Sequence, residues 1–143
     1  MRANMHRGPA MSEWRLAEGL AQRDAPCLRD RRWAAQVSQQ LAAATRTLHD
    51  QHFTHNDLKW RNVLVNEQGE LFLIDCLAGF FWWGPLLSYR IIKGLACLDK
   101  VAKYQLSRPQ RIRFYLQYCG HSRLGVLDKQ RIRQIVSFFE GRE

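Results

Sequence analysis

Four polar residues between positions 57 and 75 have the types and spacing that phosphoryl-transfer chemistry requires. Asp57 and Lys59 lie two residues apart, Asn62 follows closely, and Asp75 ends an apolar run. An aspartate can orient an attacking hydroxyl and accept its proton, while a nearby ammonium group stabilises charge on a transferring phosphoryl group. Amide and carboxylate oxygens are suitable ligands for Mg²⁺. The pattern therefore predicts a site where a metal-bound phosphate meets a hydroxyl.

A β-hairpin is expected to position the metal ligands. The runs 63–65 and 71–74 are short and apolar, and the five residues between them are polar or glycine. A turn centred on the Gln68–Gly69 bond would place Asn62 opposite Asp75. Opposed residues of an antiparallel pair have Cβ atoms roughly 4.5–5.5 Å apart. We therefore expect these two side chains to hold one divalent ion at the open end of the hairpin.

A long helix is predicted immediately before this site. Apolar residues recur every three or four positions from Trp33 to Leu48, which is typical of one helix face, and Asp30 would be its N-cap. Residues 1–29 lack any such period, and their glycines and prolines indicate irregular structure. We therefore divide the chain into an irregular N-terminal segment, 1–29, and one domain, 30–143.

Three further helices are predicted after the hairpin. The first follows Gly84-Pro85, and the second starts at Ser107-Arg108-Pro109 and closes at Gly120. The third is capped by Asp128 and ends near Gly141. Its inward-facing residues are expected to be Ile132, Ile135, Val136 and Phe139. The predicted fold class is α+β and mostly helical.

The cysteine pattern and the start of the chain favour the cytoplasm. The sequence has no C-x-x-C pair, and its first residues are polar and contain no apolar leader segment. The apolar stretch from Leu71 to Leu87 is interrupted by Asp75 and by Gly84-Pro85, so we predict no membrane-spanning helix. No zinc site is predicted, because the histidines show no ligand spacing with cysteines.

The loop and strand together resemble a known signature. H-x-D-L-K-x-x-N followed by a strand that ends in Asp is similar to the catalytic and metal loops of the protein-kinase-like superfamily. The resemblance implies ATP and Mg²⁺ as cofactors. It also implies the C-terminal kinase lobe, which consists of a long helix, the catalytic loop, a hairpin and three helices. The residues that match are Asp57 as catalytic base, Lys59 as phosphate contact, Asn62 and Asp75 as metal ligands, and His55 as structural support of the loop.

Within this superfamily, the chain looks like the bacterial lipopolysaccharide core kinases of the Kdo/WaaP family. The likeness rests on the catalytic loop, the 71–75 segment, the aromatic cluster Phe80 to Trp83 and the basic helix Arg108 to Tyr118. It implies a kinase that phosphorylates a hydroxyl of a lipopolysaccharide inner-core sugar, in peripheral contact with the cytoplasmic face of the inner membrane. The aromatic cluster could line an acceptor pocket or enter a membrane interface, but we expect it to be core.

The charge distribution suits an anionic acceptor. Residues 1–87 carry 10 basic and 9 acidic side chains, whereas residues 88–143 carry 12 basic and 4 acidic ones. This excess would attract an anionic partner, although a solvated basic surface without selectivity is an equally open interpretation. The residues expected to contact an acceptor or an anionic surface are Arg108, Arg111, Arg113, Lys129, Arg131 and Arg133.

We expect the N-terminal β lobe, which grips the nucleotide in kinases, to be absent from this chain. No lysine precedes Lys59, no G-x-G-x-x-G occurs, and the residues before the first helix are too few for a five-stranded lobe. The alternatives are a truncated kinase, a partner chain that supplies the lobe, and a degenerate domain. We favour the truncated kinase, because the four site residues are intact.

Two other functions stay open. A non-catalytic, kinase-like remnant would use the basic residues to bind anionic lipid, lipopolysaccharide or nucleic acid. A small-molecule phosphotransferase of the aminoglycoside or choline type would share the His-x-Asp and Asn spacing. For the kinase itself, the expected partners are the nucleotide and the core sugar, and nucleic acid is not among them.

Overall fold

Four helices and five short strands form the part of the chain that the computed structural model describes, namely residues 15–16, 31–66 and 68–142. In chain order they are β1 (Arg15–Leu16), α1 (Arg31–Asp50), β2 (Phe53–Thr54), β3 (Val63–Val65), β4 (Leu71–Leu73), β5 (Phe80–Phe81), α2 (Gly84–Gln105), α3 (Arg108–Cys119) and α4 (Val126–Ser137). The predicted order of long helix, loop, hairpin and three helices is confirmed. Helices predominate over two small sheets, which is compatible with the α+β class.

The segment predicted to be irregular contains one described element. Arg15 and Leu16 form strand β1, which pairs antiparallel with β3 through Val65 and Leu64. The rest of residues 1–29, and the predicted N-cap Asp30, lie outside the described residues.

Helix α1 buries a narrow stripe with a spacing of four. Val37 and Leu41 are buried as predicted, and the stripe continues through Thr45 and His49. Leu48, predicted to face inward, is only half-buried. The end of α1 therefore packs polar side chains against its neighbours, an arrangement that apolar periodicity does not report.

The hairpin forms between β3 and β4, but its turn is longer than predicted. Asn66 donates its backbone N–H to the carbonyl of Glu70 at 3.2 Å, and its side-chain oxygen accepts from the N–H of Glu70 at 2.8 Å. These bonds close a loop of three residues. Gly69 within this loop has φ 77°, the left-handed conformation that a three-residue hairpin loop requires near its end.

The longer loop shifts the strand register by one residue. Val63 pairs with Leu73, and the N–H of Ile74 donates to the carbonyl of Asn62 at 2.9 Å. A one-residue slip exchanges the faces on which side chains lie. The predicted direct opposition of Asn62 and Asp75 is therefore wrong, because Asn62 faces Ile74.

A second sheet pairs the chain before the predicted catalytic loop with the chain after Asp75. Strand β2 precedes this loop, and β5 follows Asp75; they pair antiparallel through Phe53 and Phe81. The approach is close at Gly79, where an added Cβ would lie 2.0 Å from the Phe53 ring. Glycine at this position therefore lets the segment after Asp75 pack against the chain before the loop.

The bounds of α3 agree with the prediction, whereas those of α4 differ. Helix α3 begins after a Ser107–Gln110 capping box and ends at Gly120, which has φ 70°. Helix α4 begins at Val126, so the assignment of Asp128 as its N-cap was wrong. Asp128 lies in the first turn, where its carboxylate accepts from the N–H of Gly125 at 2.8 Å. An aspartate is favourable at either position, which explains the error.

The four helices enclose two apolar clusters. The first joins α1, the hairpin and α2, and the second joins α1 to the three C-terminal helices; Phe114 packs against both. Ile135 of α4 is buried as predicted, and Ile132 and Phe139 pack against the second cluster from partly buried positions, although Phe139 lies beyond the helix. Val136, also predicted to face inward, is 51% exposed. The buried members are Val37, Leu41, Leu58, Val63, Val65 and Leu98 in the first cluster, and Ala42, Leu95, Ala96, Tyr115, Tyr118 and Ile135 in the second.

None of the helices in the described residues has the length and apolar composition needed to cross a bilayer. The three described cysteines, Cys76, Cys97 and Cys119, are free thiols.

Candidate active site

The Asp57 carboxylate is the charged centre of the predicted catalytic loop. Lys59 Nζ lies 2.5 Å from its Oδ1, and Arg61 Nη2 lies 3.5 Å from its Oδ2. The hydrogen bond from Lys59, supported by those from Asn62 and Arg61, lowers the pKa of Asp57 below its usual range. The carboxylate is therefore ionised at neutral pH, and three-quarters of its side-chain surface is covered.

Asn62 holds Asp57 from the strand side. Its side chain is buried at 6% exposure, and its Nδ2 donates to the Asp57 backbone carbonyl at 2.8 Å and to Oδ2 at 3.1 Å. Both amide hydrogens are thereby directed at Asp57. Asn62 Oδ1 is therefore the atom of this side chain whose lone pairs could bind a cation.

His55 and Asn56 fasten the loop to the segment around Asp75. His55 is 2% exposed, and its Nε2 donates to the Ile74 carbonyl at 2.8 Å. Asn56 Nδ2 donates to the Ala78 carbonyl at 2.7 Å, and Asn56 itself has a left-handed φ of 62°. The residues on both sides of Asp75 are thus tied to the loop that carries Asp57.

Leu58 and Trp60 anchor the same loop to the core. Leu58 is 3% exposed within the first apolar cluster, and burial of such a side chain contributes about 2 kcal/mol. Trp60 Nε1 donates to the Leu98 carbonyl of α2 at 2.8 Å. Polar and apolar residues therefore alternate along the loop, the apolar ones holding it while the polar ones form the site.

Asp75 stands apart from the other predicted site residues. It has φ 59° and ψ 40°, is exposed, and precedes a 3₁₀ turn, Cys76–Ala78. Among the described residues, no hydrogen bond or ion pair reaches its carboxylate, and the register does not place it opposite Asn62. The structure brings Asp57, Lys59 and Asn62 together, whereas the Asp75 segment is tied to their loop through the backbone carbonyls of Ile74 and Ala78.

The donor set fits a magnesium–nucleotide complex. Asn62 retains a free carbonyl oxygen, and Asp75 offers an exposed carboxylate that no cation of the described chain neutralises. Hard oxygen ligands of this kind are those that Mg²⁺ takes together with waters and phosphate oxygens. Two ligands from separate segments, instead of one cross-strand pair, would hold the ion.

The aromatic cluster after Asp75 is on the surface, so the expectation that it is core was wrong. Phe80, Phe81 and Trp83 are 58%, 51% and 66% exposed, while Trp82 is half-buried beneath Arg90, whose guanidinium lies 4.4 Å from the ring centroid. Strand β5 is an edge of a two-stranded sheet, which has too little width to cover these rings. The exposed aromatic surface follows the Asp75 segment directly.

The six basic residues predicted to contact an acceptor divide into two groups. Arg111 forms a bidentate ion pair with Asp99, with nitrogen–oxygen distances of 2.7 and 2.6 Å, so its guanidinium is already paired within the protein. The other five are exposed: Arg108, Arg113, Lys129, Arg131 and Arg133. Lys129 and Arg133 share one face of α4, four residues apart.

Comparison with known proteins gives one match. A family model described as protein tyrosine and serine/threonine kinase matches residues 10–76. This range is just under half of the chain, and it includes the catalytic loop and Asp75. No curated protein and no solved structure matches. The match supports a protein-kinase-like domain and suggests phosphoryl transfer, without distinguishing the lipopolysaccharide kinases from other members.

Two residues of the site were missed by sequence reasoning. Asn56 and Arg61 lie inside the quoted motif, but their partners, the Ala78 carbonyl and Asp57 Oδ2, could not be read from spacing alone. A usable signal for Asn56 was its residue type, because asparagine tolerates positive φ better than most residues.

Proposed function

We propose that this chain is the catalytic part of a kinase that transfers the γ-phosphoryl group of ATP to a hydroxyl of a lipopolysaccharide inner-core sugar. The observation that carries the proposal is the arrangement at Asp57. An ionised carboxylate is held by Lys59 and Asn62 on a loop that His55 fastens to the Asp75 segment.

In this proposal Asp57 orients the acceptor hydroxyl. Its lowered pKa makes it a weak base, which suits a loose transition state in which the hydroxyl keeps its proton until late. The proton then passes to Asp57 as the new oxygen–phosphorus bond forms and the bond to the nucleotide breaks. Lys59 and Arg61 lie on the same loop and stabilise negative charge near the transferring group.

ATP and Mg²⁺ are the proposed cofactors, since kinase-like domains generally use them. Asn62 Oδ1 and the Asp75 carboxylate would hold the cation. When bound, Mg²⁺–ATP supplies the phosphoryl group and neutralises the charge on its oxygens. What this chain contributes is the fixed distance between the segment of Asp57 and that of Asp75, set by the bonds from His55 and Asn56.

The lipopolysaccharide acceptor is supported by sequence resemblance and by two surface features. Five exposed cations on α3 and α4 would attract a phosphorylated saccharide or an acidic membrane surface. The exposed rings at Phe80, Phe81 and Trp83 are suited to sugar stacking or to the interface of a bilayer. Peripheral contact with the cytoplasmic face of the inner membrane belongs to the same proposal.

Isothermal titration of Mg²⁺–ATP into the purified chain at physiological ionic strength tests the cofactor part. We expect binding that disappears without magnesium and in Asp75→Ala. Asp50→Ala is the matched control, because Asp50 is an exposed carboxylate on α1, paired with Arg46. Binding that survives Asp75→Ala, with magnesium still required, would contradict the metal assignment.

The acceptor part is tested with the same protein and labelled ATP. Inner-core lipopolysaccharide is expected to accept the label, whereas aminoglycosides and choline are not. Transfer to one of these small molecules would instead identify a small-molecule phosphotransferase.

A second candidate function rests on the exposed cations alone. A non-catalytic module would bind anionic vesicles or lipopolysaccharide without magnesium and independently of Asp75. The module is the better description if the titration detects no nucleotide binding and the chain binds anionic vesicles or lipopolysaccharide. The double substitution Lys129→Gln and Arg133→Gln should then weaken that binding.

A further inference from the structure

The corner between α3 and α4 brings together three side chains of different chemistry. The Cys119 sulfur, the His121 ring nitrogen and the Asp128 carboxylate have ligand atoms that all lie within 4.8 Å of one another. His121 Nδ1 lies 3.1 Å from each carboxylate oxygen of Asp128. Thiolate, imidazole and carboxylate are the three ligand types that zinc takes in proteins.

Local backbone geometry brings Cys119, His121 and Asp128 together. Gly120 ends α3 in the left-handed conformation, and the N–H of His121 returns to the Leu116 carbonyl at 3.0 Å. This helix-terminating turn folds His121 back beside Cys119, only two residues earlier. Asp128 comes from the first turn of the next helix, so the cluster joins the end of one helix to the start of another.

The distances are close to those of a tetrahedral metal site. With Zn–N and Zn–O bonds of about 2.0–2.2 Å, the nitrogen and oxygen ligands of one zinc ion lie roughly 3.3 Å apart. The observed separation of 3.1 Å between His121 and Asp128 is within a few tenths of an ångström of this value. The Cys119 sulfur lies within 4.8 Å of both other ligand atoms, and a rotation about the Cys119 Cα–Cβ bond would bring it closer to them.

The carboxylate is already oriented by the protein. The Tyr115 hydroxyl donates to Asp128 Oδ1 at 3.2 Å, and the N–H of Gly125 donates to Oδ2 at 2.8 Å. Tyr115 is buried, whereas half of the His121 side-chain surface is exposed. A buried donor behind a ligand and an open side for entry are features of metal sites, in which such donors fix ligand orientation.

We propose that Cys119, His121 and Asp128 form a Zn²⁺ site with one open position occupied by water. On binding, the thiol hydrogen of Cys119 leaves to solvent, and the neutral His121 ring carries its hydrogen on Nε2 so that Nδ1 binds the ion. The bound ion links the C-terminus of α3 to the first turn of α4. This site is outside the catalytic loop and does not depend on the proposed kinase function.

The alternative interpretation is a hydrogen-bonded helix start. The Asp128 carboxylate accepts from the N–H of Gly125 at the start of α4, and His121 and Tyr115 would then be ordinary donors to it. In that case the Cys119 thiol is only a neighbour of the Tyr115 hydroxyl. The two interpretations differ in whether the thiol and the imidazole bind the same ion.

Titration of the reduced full chain with Co²⁺, followed by competition between Zn²⁺ and a chromogenic chelator, decides between them. One equivalent of Co²⁺ should give the visible absorption of a tetrahedral site and a thiolate-to-cobalt charge-transfer band. We expect Cys119→Ser to abolish that band and His121→Ala to weaken Zn²⁺ affinity by about 100-fold or more. Zn²⁺ should raise the melting temperature of the wild-type chain and leave that of His121→Ala unchanged.

Matched variants make the test specific. Cys97→Ser and His52→Asn remove a thiol and an imidazole elsewhere in the chain and should bind both ions as the wild type does. Tyr115→Phe keeps the ring and removes the donor to Asp128, so the affinity should fall by about tenfold. All variants are checked by circular dichroism. Absence of stoichiometric binding by the wild type, or unchanged binding by Cys119→Ser and His121→Ala, would overturn the proposal.

Discussion

The loop end of the molecule, residues 51–83, and its helical base, which consists of α1, α2, α3 and α4, differ in backbone strain. Among the described residues, the non-glycine positions with positive φ are His52, Asn56 and Asp75, all at the loop end. In α3, α4 and the turns that follow them, the positions with positive φ are Gly120 and Gly141. Left-handed non-glycine residues cost free energy and persist where the surrounding structure holds them.

The two regions also differ in how a carboxylate is held. At the loop end Asp75 is exposed, and Leu77 beside it is 98% exposed. In the helical base, Arg111 and Asp99 form an ion pair in which each side chain exposes a quarter of its surface or less. The Asp99 carboxylate of the base is therefore paired and largely covered, whereas the Asp75 carboxylate of the loop end is accessible. Substitutions at the loop end should therefore affect activity, and substitutions in the base should affect stability.

The largest effect expected from this comparison is at Asp57. Asp57→Asn keeps the shape of the side chain and its contact with Asn62 but removes the charge that orients and deprotonates the acceptor. If the chain is a kinase, phosphoryl transfer from labelled ATP should fall by about 10²–10⁴-fold, with little change in nucleotide affinity.

Asp50→Asn is the control for this substitution, since Asp50 is exposed at the end of α1. The melting temperatures of both variants should stay close to that of the wild type. Transfer that persists in Asp57→Asn would remove Asp57 from the mechanism and would weaken the division between a reactive end and a stabilising base.

A second prediction concerns the base, through the buried pair of His49 and Tyr118. His49 Nδ1 lies 2.7 Å from the Tyr118 hydroxyl, and burial lowers the pKa of His49 from 6.5 to about 4. The folded chain therefore holds His49 neutral, while the unfolded chain protonates it near pH 6.5. The contribution of neutral His49 to the free energy of unfolding is fully present above that pH. It is lost as the pH falls from 6.5 towards 4, by roughly 3 kcal/mol.

Urea unfolding measured across this pH range checks the prediction. His49→Gln should be less stable at neutral pH and should lose most of the pH dependence between 4 and 6.5. Tyr118→Phe should keep the pH dependence, because burial is the main cause of the shift. An unchanged pH profile in His49→Gln would show that other groups control acid stability.

The sequence identified elements whose signals are local. Helix α3 was placed correctly because Ser107 and Gly120 mark its ends within one turn of the helix itself. The hairpin was recognised from its apolar runs, but its register was not. A polar stretch of five residues does not reveal whether two or three of them form the loop, and Asn66 decides this through a side-chain bond to Glu70.

Features that depend on distant partners could not be predicted. His49 is buried because Tyr118, from another helix, covers it and contacts its ring nitrogen. The proposed zinc site could not be predicted from spacing, because Cys119 and His121 alone do not match a common ligand pattern, and Asp128 joins them only through the turn between α3 and α4. The prediction that the aromatic cluster is core was wrong for a related reason, because the burial of a strand depends on the size of the sheet to which it belongs.

The smallest effect expected is the difference in coupling free energy between two ion pairs of different exposure. Arg111 and Asp99 meet through two short bonds and are largely covered, whereas Arg46 and Asp50 are about half exposed. Double-mutant cycles with alanine, read by urea unfolding, should give a coupling of about 1–2 kcal/mol for the covered pair. The exposed pair on α1 should give less than about 0.5 kcal/mol, and its coupling should vanish at high salt. Equal couplings would mean that the helical base gains no more from its paired charges than an exposed surface does, and the contrast with the loop end would then rest on backbone conformation alone.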